Sequence, residues 1–121
     1  MAISTSQRRG NWAEQRALRL LQTAGWQVLA QQWRCRWGEL DLLLHKPQRL
    51  LLVEVKSRGR RGVDGWGVAS FTAPKRRRLN RTYSCWLAVH PQYQHCSLEL
   101  VLALVPQPLA REPVRWIRCW G

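Results

Sequence analysis

From Gly38 to Ser57 the chain reads GELDLLLHKPQRLLLVEVKS, and this stretch decides the fold. Two apolar runs, Glu39–His45 and Arg49–Ser57, flank a turn at Pro47 and Gln48. Runs of this length bounded by turn residues read as strands, and so short a link makes the pair antiparallel. Both faces of each run are largely apolar, as in strands covered on both sides. Side chains alternate along a strand, so Glu39, Asp41 and Leu43 are expected on one face and Leu40, Leu42 and Leu44 on the other. On the next strand Leu52, Glu54 and Lys56 share a face, opposite Leu51, Val53 and Val55.

Charged groups in the middle of such strands are costly unless something pairs with them. Twelve residues separate Asp41 from Glu54, so a hairpin can set them side by side. Two adjacent carboxylates repel, and either one takes a proton or a cation sits between them. A hard divalent ion such as Mg²⁺ is commonly held by one or two carboxylates plus substrate phosphate. It polarises a phosphodiester and acidifies a bound water. Lys56 follows Glu54 on the same face, where it can orient that water or stabilise developing charge. Spacing alone fits equally well a buried ion network in which Lys56 and Glu54 neutralise Asp41.

Working outward, Gln7–Ala24 reads as a helix stopped by Gly25. Trp26–Arg34 reads as a strand that completes a three-stranded meander. The Gly- and Arg-rich segment Arg58–Gly67 reads as a mobile loop. A second helix is expected over Ala73–Val89, with Thr72 as N-cap, Pro74 in the first turn and Pro91 beyond its end. Ser97–Val105 then forms a fourth strand, parallel to the third because a helical crossover precedes it. Pro106, Pro108 and Pro113 mark a loop before a short edge strand, Arg115–Trp120. The order α-β-β-β-α-β-β describes a single α/β domain over residues 1–121 with one mixed sheet.

Two helical positions break the amphipathic pattern. Glu14 falls at the centre of the stripe made by Ala17, Leu18 and Leu21, with Arg8, Arg16 and Arg19 opposite. It either serves the strand carboxylates or partners a buried arginine or the next helix. Lys75 lines up with the inward Leu79, Trp86 and Val89, while Arg77, Arg78 and Arg81 fall on the other side. It either reaches a phosphate or Glu54, or extends its ammonium to water.

Lys and Arg number 20 against 7 Asp and Glu, a formal +13. Such an excess repels itself in a compact chain, and a polyanion relieves it. Nucleic acid is therefore the expected partner. Arg58, Arg60 and Arg61, and Lys75 with Arg76, Arg77 and Arg78, form the clusters expected to contact phosphates. Among the eight tryptophans, Trp37 and Trp66 lie in Gly-bearing loops, where they either pack or stack on an exposed base. Cys35, Cys85, Cys96 and Cys119 form no C-x-x-C pair, so reduced thiols in a cytoplasmic protein are expected rather than zinc or a disulfide framework. No apolar run is long enough to span a bilayer, and the first twelve residues have no signal-peptide pattern.

Gly10–Glu14, Trp37-Gly38-Glu39-Leu40-Asp41, Glu54-Val55-Lys56-Ser57-Arg58 and Lys75 resemble the YraN-like (UPF0102-type) family of uncharacterised bacterial proteins, in spacing and order as well as residue type. That family is similar to the PD-(D/E)XK nucleases, with a restriction-endonuclease-like α-β-β-β-α-β core, and most closely to the archaeal Holliday-junction resolvases. The resemblance implies Asp41, Glu54 and the Val55 carbonyl as ligands of Mg²⁺ or Mn²⁺, Lys56 as the catalytic lysine and Glu14 as the resolvases' additional carboxylate. Glu39 receives no definite role. Relatives carry an Arg-Phe-Asp-like signature where this chain has Ser97-Leu98-Glu99. The implied activity is a metal-dependent endonuclease cutting branched or single-stranded DNA, and the dimeric resolvases make a homodimer one assembly it allows. Two other readings remain, a non-catalytic nucleic-acid-binding module on the same fold and a basic RNA-associated factor.

Overall fold

Helix α1 spans Thr5–Thr23, and the chain leaves it through Gly25, whose φ of +96° suits a residue without a Cβ. The computed structural model describes residues 5–58, 72–107 and 111–120, with side chains for 11–57, 72–107 and 111–119. Three strands follow, β1 (Gln27–Cys35), β2 (Gly38–Lys46) and β3 (Arg49–Arg58). Helix α2 (Ala73–Ala88) leads through a 3-10 turn, Pro91–Tyr93, to β4 (Ser97–Pro106) and β5 (Arg115–Trp120). The sheet runs β1-β2-β3-β4-β5. Among the described strands only the β3–β4 pair is parallel. The architecture is the expected mixed α/β sheet, consistent with a restriction-endonuclease-like core. No helix among the described residues is long and apolar enough to cross a membrane.

Each helix covers one face. Ala13, Ala17, Leu18 and Leu21 of α1 join Leu42, Leu44, Leu51, Val53, Ala103 and Val105 in one core. Leu79, Tyr83 and Trp86 of α2 join Leu40, Leu43, Leu50, Leu52 and Leu100 in the other. Thr72 caps α2, its side chain accepting from the Lys75 N–H, and Pro occupies the first turn as expected. Val89 is the exception on this helix. It is the C-cap rather than a helical residue and stands 65% exposed, so its place on the inward stripe is corrected. Leu50 and Leu52 are fully buried, each contributing roughly 1.5–3 kcal/mol, which helps offset carrying the polar Glu54 further along the same face.

The expected face assignment of β2 also needs correction. Leu42 and Leu44 face α1, but Leu40 faces α2 together with Leu43. The cause lies in two residues that face each other across the β1–β2 pair. Gln31 pairs with Leu42 and Trp33 with Leu40, which sets Gln32 opposite Asp41. Gln32 has φ +49°, in the left-handed region rather than the extended one. Ala30 and Trp33 of β1 consequently both pack in the α2 core, as do Leu43 and Leu40 of β2. Alternation resets on both strands at once, at the residue that carries the carboxylate.

Candidate functional site

The β2–β3 register runs from Lys46↔Arg49 to Leu42↔Val53 and stops there. Where the next rung would fall, the Asp41 carboxylate enters the gap, and its Oδ2 accepts the Val55 N–H at 2.9 Å. An extended residue turns its N–H and C=O toward the same neighbouring strand. The Val55 carbonyl therefore faces this gap too.

Asp41 is the meeting point of two acidic groups. Toward α1, carboxylate oxygens of Glu14, Glu39 and Asp41 lie within 4.8 Å of one another. Gln32 Nε2 donates to Glu14 Oε2 at 2.8 Å, and Arg34 Nε donates to Glu39 Oε2 at 2.6 Å. Toward α2, Glu54 hydrogen-bonds Asp41, with Lys56 and Lys75 beside it. Glu54 is 92% buried by area, and its Oε1 has no hydrogen-bond partner. A cavity of about 140 Å³ lies here, lined among others by Trp37, Glu39, Glu54, Lys75, Arg78 and Thr82.

The electrostatics follow from burial and crowding. Desolvation first, then the charge of Asp41 and the hydrogen bond to it, push Glu54 up to about 9 against the partial relief of Lys75 and Lys56. Burial also raises Asp41, while the Val55 amide and the Glu54 hydrogen bond counter it. At neutral pH Glu54 thus holds a proton that it donates to the Asp41 carboxylate. Burial lifts Glu14 to about 7 despite the Gln32 hydrogen bond, with Asp41 and Glu39 adding to the rise. Lys56 is held below the usual lysine range by burial and by contact with Lys75, opposed by Glu54 and Asp41.

All three Asp41, Glu54 and Lys56 therefore meet as the hairpin implied, and Glu14 arrives from its helix as its inward position required. Lys75 reaches Glu54 and Lys56 rather than extending to water. Glu39, expected on the same strand face as Asp41, joins Glu14 and Asp41 in one acidic group. Gln32 and Arg34 were not expected at the acidic group, Gln32 for want of any sequence signal and Arg34 because it was hidden among many arginines. Arg78, expected as a phosphate contact, also lines the cavity. Arg76, Arg77 and Arg78 stand on the solvent side of α2. Arg58 ends β3, whereas Arg60, Arg61 and Trp66 lie outside the described residues. Trp37 is in contact with two cations, Arg36 at 4.6 Å and Arg81 at 4.9 Å from its ring centre. Glu99 pairs with Arg49 at 2.8 Å and Arg118 at 3.3 Å. It sits beside Leu51 in the β3–β4 register, three positions short of Glu54, so its role is in the ion pairs.

Gly38 fixes the turn below this site. Its φ is +146°, and a Cβ there would meet Thr82 Oγ1 of α2 at 3.3 Å. Gly38→Ala is expected to cost about 1–3 kcal/mol of stability in urea unfolding; a wild-type midpoint with an unchanged slope would refute the constraint.

Known proteins bear on the chain as a whole. The model of the family described as "Uncharacterised protein family UPF0102" matches residues 13–104. A UPF0102 protein of Prochlorococcus marinus strain MIT 9303 is 58% identical over 113 residues, covering 93% of this chain and 90% of that protein. Another, from strain MIT 9313, is 55% identical over 109 residues, covering 90% and 86%. A more distant one, from Acinetobacter baumannii strain AYE, is 33% identical over 108 residues, covering 88% and 80%. The chain belongs to the UPF0102 family.

Proposed function

From this membership and the geometry around Asp41, we propose that the protein is a metal-dependent endonuclease acting on DNA, in branched or single-stranded form. The observation that carries the reading is the grouping of Glu14, Glu39 and Asp41, with Asp41 also beside a buried Glu54 whose Oε1 has no hydrogen-bond partner. Hard oxygen donors around an unsatisfied buried carboxylate fit Mg²⁺ or Mn²⁺. Asp41, Glu54 and the Val55 carbonyl would hold the ion, with Glu14 beside them. Bound there, it would supply Lewis-acid chemistry toward a phosphodiester.

The protein's own groups divide the remaining work. Asp41 is fixed by the Val55 N–H, and Glu14 by Gln32. Lys56, kept below the usual ammonium range, can orient an attacking water and take its proton. Lys75 and Arg78 line the cavity and offer cations to a phosphate. Arg76 and Arg77, on the exposed side of the same helix, extend the basic surface along a backbone.

The test is cleavage of four-way junction, single-stranded and duplex DNA by purified full-length protein. Nicks are expected with Mn²⁺ or Mg²⁺ and none with a chelator. Failure to cut any of these with either ion would overturn the proposal. The arginine-rich face of α2 supports a second reading, a binding module without catalysis. That reading requires salt-sensitive association and no metal-dependent product.

A further inference from the structure

Trp37 stands in the turn between β1 and β2 and forms a wall of two neighbouring hollows. One is the cavity of about 140 Å³ beside Glu54, which it lines together with Lys75, Arg78, Leu79 and Thr82. The other, of about 560 Å³ and more open to solvent, is lined by Trp37, Arg81, Ser84, Cys85 and Ala88. Each set of α2 residues repeats at i, i+3, i+4, i+7, the spacing of one helix stripe. The second stripe lies six positions beyond the first, roughly 9 Å along the helix axis. Only the second hollow reaches the roughly 300–1,000 Å³ of a small-molecule site.

Two cations are gathered at the Trp37 ring, Arg36 at 4.6 Å and Arg81 at 4.9 Å from its centre. Both arginines are exposed, and among the described residues no carboxylate forms an ion pair with either. Like charges held on one ring repel, and an anion between them relieves the repulsion. Trp26 is a contrast. Lys46 and Arg49 lie 4.7 and 5.0 Å from its ring centre, but Trp26 is packed in the α1 core and Arg49 is paired with Glu99.

We propose that the hollow beside Trp37 is a subsite for an unpaired nucleotide of the DNA strand, its base stacked on the indole and its flanking phosphates on Arg36 and Arg81. A cation over an exposed ring is held more weakly than a base stacked on that ring. The guanidiniums in turn bind a phosphate more strongly than they bind the indole. The base therefore displaces them from the ring toward the phosphates on either side. At roughly 3.4 Å or more per nucleotide, this base lies a few nucleotides at most from a phosphate held by Lys75 and Arg78. A duplex keeps its bases stacked and out of the hollow. This subsite rests on the nucleic-acid part of the proposed function and gives its preference for unpaired strands a cause.

Binding in chelator tests it without recourse to catalysis. Full-length protein is titrated at fixed salt into fluorescein-labelled oligothymidine, the same strand made wholly abasic, and a blunt duplex, with anisotropy as the readout. Wild type should bind oligothymidine more tightly than the abasic strand. Trp37→Ala should weaken oligothymidine binding roughly 10–100-fold and Trp37→Phe by less, with the abasic strand and the duplex changed little. Arg81→Gln should lower the salt dependence for both single strands by about one contact, roughly 0.7 in the slope of log affinity against log salt. Irradiation of wild type with an iodouracil-substituted strand should place the adduct on Trp37, a result that needs no variant to fold. Equal wild-type affinity for oligothymidine and the abasic strand would overturn the proposal. So would an equal effect of Trp37→Ala on all three ligands, or adducts confined to other residues. Because no step depends on metal, loss of the nuclease reading for want of cleavage would leave these binding results standing.

Discussion

Asp41→Asn should abolish metal-dependent DNA cleavage while leaving the fold intact. The asparagine oxygen can still accept the Val55 N–H that Asp41 accepts at 2.9 Å, so the gap between β2 and β3 stays closed. What disappears is the negative charge shared by both acidic groups. A divalent ion supplies several kcal/mol of charge stabilisation to the reaction. At about 1.4 kcal/mol per decade, losing its principal ligand should reduce the rate by roughly 10²–10³-fold or more. The same variant should melt close to wild type in chelator, because the asparagine amide can donate to the Glu54 carboxyl where the Asp41 carboxylate accepted its proton. Cleavage at an equal rate by wild type and Asp41→Asn would mean that the products come from elsewhere than this site.

The second large effect is on stability. Glu54 titrates at about 9 in the folded chain and near 4.3 when unfolded. Between those values the folded state binds the extra proton, so stability falls as pH rises. The full benefit of the protonated carboxyl is present below the unfolded value and is lost by the time pH passes about 9. At roughly 1.4 kcal/mol for each pH unit, several kcal/mol are at stake for a group this buried. Glu14 and Asp41, both raised, act in the same direction, and the partial exposure of Glu14 reduces its share. Lys56, lowered, acts oppositely toward the alkaline end. In chelator, urea unfolding at pH 5.5, 7 and 8.5 should show a steady decline. Mn²⁺ should restore stability, and by more at higher pH, since it substitutes for the proton that Glu54 otherwise needs. Glu54→Gln should flatten the curve and remove the Mn²⁺ gain. A wild-type curve that is level or rising in chelator would contradict the shared-proton account.

Much of this arrangement was readable from local pattern. Turn residues at Pro47 and Gln48, the Thr72 cap and the proline stops bounded the elements, and the helical wheel placed Glu14 inward. What failed was alternation at Leu40. Its failure came from Gln32, a residue type with no preference for the left-handed backbone it adopts. Glu39 was legible as a charge on the same strand face as Asp41 but not as a neighbour of Glu14, which reaches the group from a separate helix.

The paired irregularity at Gln32 and Asp41 also separates what can drift in this chain from what cannot. The carboxylates are aimed by the path of the main chain, not by the shapes of the leucines around them. Aliphatic exchanges in either core that conserve volume should cost little and leave the acids aimed as before. A one-residue insertion in β1 or β2 should scatter the acids while leaving both helices with greasy surfaces to cover. Descent with change is thus free to rewrite the bulk of the interior, provided that it respects a single fold line.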